Sequence, residues 1–312
     1  MKISICLCTY NGSKYLIQQL ESLKNQTLKA DEIVVCDDGS TDNTIQILKQ
    51  YEDILKIKLF INNSSLGVTK NFEKAISLCT GDIIFLCDQD DIWENNKIEK
   101  MIAVFNDDKI GIVLCNGKII DEKAQQIKDY TLWNAFGIDK IHKDNFNFEI
   151  LINKLIFTGI AMSFRADLRK YILPISINAF HDEWIGFICA YKSKVFFLED
   201  ILVNYRIHKE QKVGIIYIKS LYEKYKFVKE YKISDIEKEC DKVSDFINKF
   251  QQMGADNNFL NKLKNKQKLF NYRATRSKFR VFILLWQFIT FKYYFYTNGN
   301  FKTLIRDIFT KI

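Results

Sequence analysis

Ile83-Ile84-Phe85-Leu86-Cys87-Asp88-Gln89-Asp90-Asp91 is the stretch on which the fold turns. A short, continuous apolar run reads as a strand buried on both faces, and such strands belong to parallel sheets covered by helices. Three acids within the next four residues mark where that strand leaves the core. In open sheets of this kind, ligands bind beyond the carboxyl ends of the strands, where strand order reverses. Asp88 and Asp90, spaced i and i+2, can converge on one ligand if the chain turns there. Carboxylates are hard oxygen donors suited to Mg2+ or Mn2+, which commonly bind through one or two carboxylates together with substrate phosphates. The same residues also read as an Asp-rich turn capping a helix that begins near Glu94.

Working outward, similar apolar runs at 3–8, 32–36, 57–61, 82–87 and 111–115 predict strands. Helix-period segments at 14–24, 41–51, 69–78 and 95–105 lie between them, with Thr41 or Asp42 as N-cap of the second and Thr69 of the third. This alternation predicts an α/β fold with a mostly parallel central sheet and flanking helices. From 116 to 215 the pattern loosens, with strand-like 157–164 and 195–198 and a helix-like 183–191. From 216 the periodicity is helical (Ile218, Leu221, Tyr222, Tyr225, Val228) and continues through 270. The predicted organisation is a domain over 1–214, with a first half 1–115 and a second half 116–214, followed by a helical region 215–312.

Two other strand exits are polar as well. The first strand ends in Thr9-Tyr10-Asn11-Gly12 and the second in Asp37-Asp38-Gly39-Ser40-Thr41-Asp42. Neither carries the GxGxxG or the Gly-Lys-Ser/Thr phosphate loop. Acid at a strand exit suits hydroxyls and base N–H groups better than bare phosphate, so this edge reads as a nucleoside pocket in which a metal ion handles the pyrophosphate.

Composition excludes several classes. With 47% hydrophobic and 27% charged residues, one proline and 12 glycines, the chain of 312 residues is neither disordered nor fibrous. Its eight cysteines fall mostly in or beside apolar runs and read as small core residues, not as a disulfide framework. Met1-Lys2 leads directly into a strand, so no secretory signal is expected and a cytoplasmic location follows. Residues 257–312 hold 12 Lys/Arg and one acid, whereas the other 256 residues hold 34 basic and 37 acidic side chains. The net charge of +8 therefore belongs to the tail, which points to an anionic surface and not to nucleic acid.

The ordered set Thr9-Tyr10-Asn11-Gly12, Asp37-Asp38-Gly39-Ser40-Thr41-Asp42 and Asp88-Gln89-Asp90-Asp91-Ile92-Trp93 resembles the family 2 glycosyltransferases. Phe157-Thr158-Gly159, His181-Asp182-Glu183-Trp184 and Tyr205-Arg206-Ile207-His208 are similar to the rhamnosyltransferase-like branch that builds bacterial surface polysaccharides. The resemblance covers roughly residues 2–214. It implies the GT-A fold, a nucleotide-sugar donor and inversion at the anomeric centre. It also implies that Thr9, Tyr10, Asn11, Asp37 and Asp38 hold the base and ribose, that Asp88 faces the ribose or metal, and that Asp90 ligates the Mn2+ or Mg2+. Asp182 matches the general base that deprotonates the acceptor hydroxyl. Glu183 stands where the branch usually has an aromatic residue, so either acid could face the acceptor. His208 can reach the diphosphate or metal, or be structural; His142 reads as a surface residue.

The implied activity is transfer of a sugar from dTDP-rhamnose or a UDP-sugar to a growing, lipid-linked bacterial surface glycan. Competing readings are a sugar-nucleotide nucleotidyltransferase, which normally needs a Gly-rich basic loop after the first strand, and a non-catalytic nucleotide-sugar-binding subunit. The nearly apolar segment 281–296 contains Gln287, Thr290 and Lys292 and falls short of the roughly 20 apolar residues of a spanning helix. Lys262, Lys264, Lys266, Lys268, Arg273, Arg276, Lys278 and Arg280 lead into it. Such a segment suits a helix lying on an anionic membrane, here the inner face of the plasma membrane. A helix packed on the catalytic domain or on another subunit fits the same pattern.

Overall fold

A computed structural model describes residues 1–140, 146–211 and 233–274. The chain divides into two compact units, Met1–Phe148 with Ile156–Ile215, and Glu149–Leu155 with Ile216–Ile312.

In the first unit the apolar runs form parallel strands. β1 (Ile3–Thr9), β2 (Glu32–Asp37), β3 (Ile57–Ile61) and β4 (Ile83–Asp88) lie in the order β3-β2-β1-β4. They are connected by α1 (Ser13–Lys24), α2 (Thr44–Leu55) and α3 (Val68–Leu78). The chain steps outward through β1, β2 and β3, then returns past β1 to β4. Right-handed crossovers therefore place α1 and α2 on one face of the sheet and α3 on the other. Side chains follow this division. Ile3, Ile5 and Leu7 join Leu16, Leu20 and Leu48 in one core cluster, while Phe72, Ala75 and Ile76 of α3 are buried where that helix meets β1 and β2.

The remaining elements are β5 (Ile92–Trp93), α4 (Lys97–Val104), β6 (Ile110–Ile120), β7 (Gln126–Thr131), α5 (Leu132–Phe136), β8 (Met162–Arg165), α6 (Arg169–Ile172), α7 (His181–Lys192) and β9 (Lys194–Arg206). The sheet continues from β4 through β8, β6 and β9 to β5, with β7 on β6. β8, β5 and β7 run antiparallel to their neighbours, so the sheet is mostly parallel but mixed. Strand order reverses between β1 and β4. Thr9 is level with Asp37, and Cys8 with both Cys36 and Asp88, so the three polar exits open on one edge. All eight cysteines are free, and seven are buried.

Three local expectations are corrected. α2 starts at Thr44, and Asn43, not Thr41 or Asp42, occupies the cap position. Asp42 nevertheless accepts from the Thr44 amide at 3.0 Å and does the work of a cap from one residue further out. Thr69 lies inside α3, because Gly67 at φ +79° opens that helix, and the Thr69 hydroxyl donates to the Ala179 carbonyl instead. Residues 157–164 are not one strand: Gly159–Ala161 makes a 3-10 turn before β8 begins at Met162. Polar side chains claim the backbone there, with Lys97 taking the Ile160 carbonyl and Asp182 the Gly159 amide.

In the second unit α8 (Ile233–Gln252) and α9 (Asn257–Ala274) form a hairpin. Gly254 at φ +74° turns the chain, and Asp256 caps α9 by accepting from the Phe259 amide at 2.9 Å. Val243, Phe246 and Phe250 of α8 and Phe259, Leu263 and Phe270 of α9 are buried, and the Phe250 and Phe259 rings meet edge-on at 5.0 Å. Three of the basic residues expected to approach a membrane are used inside this unit. Lys262 pairs with Glu149 at 2.5 Å, Lys266 binds the Ile152 carbonyl, and Arg273 is buried over the Phe270 ring. Arg276, Lys278, Arg280, the 281–296 segment, the periodic residues 218–228 and His142 lie outside the described residues. No helix among the described residues is long and apolar enough to cross a membrane. Removing 257–312 strips α8 of its partner and is expected to lose most of its helical circular dichroism, whereas removing 275–312 keeps the hairpin. Equal helicity loss in the two truncations would refute this packing.

Candidate active site

The β2 exit is built from two saturated carboxylates. Asp37 is fully buried. Its Oδ1 accepts from the Gly39 and Ser40 amides at 3.1 and 2.7 Å, and its Oδ2 from the Thr9 and Ser40 hydroxyls at 2.7 and 2.6 Å. Asp38 takes the Asn62 side-chain amide and the Leu66 amide on Oδ1, and the Ser65 hydroxyl and Gly67 amide on Oδ2, all within 2.9 Å. Burial raises the Asp38 carboxyl, but these hydrogen bonds outweigh it and hold the group below its usual range. A carboxylate has about four acceptor sites, and both residues have filled theirs with the chain. In this arrangement they fix the loops 38–40 and 62–67 that wall the crevice.

The β1 exit is tied to its neighbours in the same way. Asn11, in the left-handed region at φ +46°, donates its amide to the Ser40 hydroxyl and accepts the Thr41 amide on Oδ1, both at 2.8 Å. Asparagine tolerates that conformation better than most residues. Tyr10 is exposed, and its backbone makes a reciprocal pair with the Gln89 side chain at 2.9 and 3.1 Å. The middle residue of Asp88-Gln89-Asp90 thus clips the acidic loop to β1.

Asp88, Asp90 and Asp91 crowd the β4 exit. Burial and repulsion from Asp90 and Asp182, against the pull of Lys97, push the Asp88 carboxyl up to about 8. Asp91 is buried and raised well above its ordinary value by burial and by its two acidic neighbours. Asp90 Oδ2 lies 2.8 Å from His208 Nε2. The loop is held by Arg206, the fully buried penultimate element of the Tyr205-to-Ile207 run. Its amide donates to Asp91 Oδ1 at 2.7 Å, and its guanidinium to the Asp90, Asp121 and Glu122 carbonyls and to Gln18 Oε1, between 2.5 and 3.2 Å. Tyr15 packs under both groups, 4.6 Å from the guanidinium and 4.8 Å from the His208 ring.

Asp182 and Glu183 occupy the first turn of α7, where the helix dipole favours negative charge. Asp182 Oδ2 accepts the Gly159 amide at 3.2 Å and Oδ1 the Glu183 amide at 2.8 Å. Its field reaches Asp88. The same turn buries His181 against Phe72, with the rings stacked at 3.8 Å, and burial pushes that imidazole down to about 3.

The donor set fits a hard divalent cation only in part. Among the described residues no group of three or more His, Cys, Asp or Glu side chains is placed to hold a metal ion by itself. Asp90 and His208 form an adjacent oxygen and nitrogen pair, with Asp88 two residues away on the same loop, and His208 Nδ1 is buried without a partner. That is an open set of the kind Mg2+ and Mn2+ use when phosphate oxygens and water complete the shell.

Residues 4–172, more than half of the chain, match Glycosyl transferase family 2. The chain belongs to this family. Over 169 residues it is 28% identical to the Escherichia coli UDP-Glc:alpha-D-GlcNAc-diphosphoundecaprenol beta-1,3-glucosyltransferase WfgD, covering 46% of this chain and 66% of that one. The chain spans about two thirds or less of the length of its curated relatives. The fold is that of the GT-A glycosyltransferases. S. aureus TarS 1-349 in complex with UDP-GlcNAc superposes with a TM-score of 0.58 at 18% identity, over 95% of this chain and 89% of that one. The Pyrobaculum calidifontis mannosyltransferase PcManGT in complex with GDP-Man and Mn2+ gives 0.56 at 15%, over 98% and 86%.

The fold brings Thr9, Tyr10, Asn11, Asp37, Asp38, Asp88, Asp90, Asp182, Glu183 and His208 into one unit around a single sheet edge. Sequence reading named no role for Gln89, Asp91, Lys97 or Arg206. Arg206 carried a signal all the same, since an arginine closing the apolar run 201–205 must find partners inside. Replacing Arg206 with Leu strands three carbonyls and is expected to cost about 3–5 kcal/mol in urea unfolding, with Lys recovering part of it. A loss below about 1 kcal/mol would mean the loop is held otherwise. His181 adds an acid dependence. Its folded value lies below the unfolded one, so stability is complete above about pH 6.5 and falls as pH drops toward 3. Between pH 7 and 5 this group contributes a loss of about 2 kcal/mol. His181→Gln is expected to flatten that part of the melting-temperature profile, and an unchanged profile would assign the loss elsewhere.

Proposed function

We propose that this chain is an inverting glycosyltransferase that moves a sugar from a nucleotide-sugar donor to a hydroxyl of a lipid-linked glycan. The observation that carries the reading is the meeting of two acidic centres at one sheet edge. Asp88, Asp90 and His208 lie at the β4 and β9 ends, and Asp182 stands across from them on the first turn of α7.

Residues 1–115 supply the donor half and 116–214 the acceptor half. Thr9, Tyr10, Asn11, Asp37 and Asp38 set the walls against which the base and ribose lie. Asp37 and Asp38 act through the loops they hold, whose backbone and hydroxyl groups face the crevice. Asp88, Asp90 and His208 are the residues that would hold a Mn2+ or Mg2+ ion together with the donor diphosphate. When bound, such an ion supplies neutralising charge for the diphosphate as leaving group.

Asp182 takes the proton of the acceptor hydroxyl. The freed oxygen attacks the anomeric carbon in line, the carbon–oxygen bond to the diphosphate breaks, and the nucleoside diphosphate departs with that electron pair. One base opposite the leaving group suffices, and no covalent nucleophile is required. The Gly159 and Glu183 amides each donate to one oxygen of Asp182 and hold its carboxylate in place.

The names of the relatives support a UDP-linked hexose more than dTDP-rhamnose, and WfgD supports a diphosphoprenyl-linked acceptor. With such an acceptor, residues 275–312 bring the protein to the inner face of the plasma membrane. The Tyr10-Asn11-Gly12 exit, clipped by Gln89, differs from the basic phosphate loop a nucleotidyltransferase needs.

The test is a thermal-shift screen with MnCl2 and UDP-glucose, UDP-GlcNAc, GDP-mannose and dTDP-rhamnose, since a ligand at a hundredfold its Kd stabilises by about 2.7 kcal/mol. Asp90→Ala is expected to abolish both the metal-dependent shift and transfer. Asp182→Asn keeps the shift and lowers turnover by about 10²–10⁴. Full turnover in Asp182→Asn moves the base to Glu183, and no shift with any donor overturns the reading.

A further inference from the structure

Lys97 is a lysine with no solvent exposure in the first turn of α4, nine residues after Asp88. Its ammonium stands 3.5 Å from the centre of the Trp93 ring and donates to the Ile160 carbonyl at 2.5 Å. Burial pushes it down to about 8, so the fold bears a desolvation cost to keep a cation there. A methionine of similar length would fill the space without that cost, and replacing buried charge with apolar groups is often neutral or stabilising. Packing alone therefore does not account for the residue.

Its position does. Trp93 and Lys97 follow the Asp88–Asp91 loop in the chain, on β5 and at the start of α4. Ile160 lies in the Gly159–Ala161 turn, and Gly159, one residue before, donates the amide that holds Asp182 Oδ2. Two hydrogen bonds thus run from the segment carrying the donor carboxylates, through one turn, to the carboxylate opposite them. Gly159 is tightly packed on one side. A Cβ there would stand 3.0 Å from His181 Nε2, and His181 is locked on Phe72. The turn is packed against His181, and the side-chain cation that binds it is Lys97, on the Ile160 carbonyl.

We propose that Lys97 is a positioning residue for the transfer step, fixing the distance between the Asp88–Asp90 centre and the base Asp182 through the Ile160 carbonyl and the Gly159 amide. The inference rests on the glycosyl-transfer reading and deepens it. In-line displacement needs the base and the leaving group at a set separation, and an error of about 1 Å costs on the order of 10²-fold in rate. Lys97 touches neither donor nor acceptor. Its loss acts on turnover, not on donor affinity.

The experiment uses the full chain with MnCl2 and whichever of UDP-glucose, UDP-GlcNAc, GDP-mannose and dTDP-rhamnose shifts its melting. Nucleoside diphosphate release is followed for wild type, Lys97→Met, Asp182→Asn and the double variant. Lys97→Met is expected to lower kcat by roughly tenfold to a hundredfold with donor affinity within about threefold of wild type. The double variant is expected to be no slower than Asp182→Asn alone, because a residue that acts through Asp182 has nothing left to position. A merely structural role would lower donor affinity in parallel, or add its loss to that of Asp182→Asn; either result overturns the proposal, as does wild-type kcat in Lys97→Met. If Lys97→Met does not fold, Gly159→Ala displaces the same turn. The same split is expected, and wild-type kcat there overturns the proposal. A wild-type chain that binds a donor but releases no nucleoside diphosphate removes the transfer reading and this inference together.

Discussion

Three carboxylates within four residues, at the end of a buried strand, repel one another and resist desolvation; what holds the loop in place is the buried arginine beside it. Arg206 faces it from β9 and gives its donors to the Asp90 carbonyl, to two carbonyls of the β6–β7 loop and to Gln18. Lys97 lies further along, on α4, with its ammonium on the Trp93 ring and the Ile160 carbonyl. Arginine suits the first place because its planar fork binds several acceptors in fixed directions. It holds a loop, a strand end and a helix in register at once. Removing its side chain would leave those three carbonyls without their donors in the interior.

Once the loop is fixed, the rest of the edge follows. Gln89 reaches from its centre to the Tyr10 backbone, so the β1 exit takes its shape from the acidic loop. Asn11 then meets Ser40 and Thr41, and Asp37 ties Ser40 back to Thr9. Each carboxylate at the β2 exit is satisfied by hydrogen bonds to the chain. Burial without such partners would cost several kcal/mol apiece. The polar residues at the three exits form one connected network of hydrogen bonds.

How legible this was depends on the range of the interactions. The strands and helices of 1–115 could be read because apolar period and strand length are local properties of the chain. β8 was misread because Phe157 to Phe164 has the composition of a strand, while the 3-10 turn inside it is imposed by Lys97 and Asp182, which lie 63 and 23 residues away. Thr69 was misread as a cap because Asp38, on another strand, captures the Leu66 and Gly67 amides. Site residues were legible as types. Their anchorage was not, since Asp37 and Asp38 as text show two acids at a strand end, and only the fold shows their oxygens bonded to the chain. The basic face of α9 misled in the opposite way, since Lys262, Lys266 and Arg273 serve local packing.

The choice between Asp182 and Glu183 turns on this same distinction between a side chain and its anchorage. Both sit in the first turn of α7 and both gain from its dipole. Asp182, the shorter, is held on each oxygen by a backbone amide, one from Gly159 and one from Glu183. Its charge is felt by Asp88, so it faces the acidic edge of the sheet. Glu183 contributes the amide that fixes its neighbour, a service any residue at that position provides, which is why an acid can stand where relatives of the resembling branch have an aromatic group. A base must be held where the proton will be, and a carboxylate fixed by two main-chain donors on a helix end meets that demand better than a longer side chain with an additional rotatable bond. The departure at position 183 therefore leaves the proposed role of Asp182 intact.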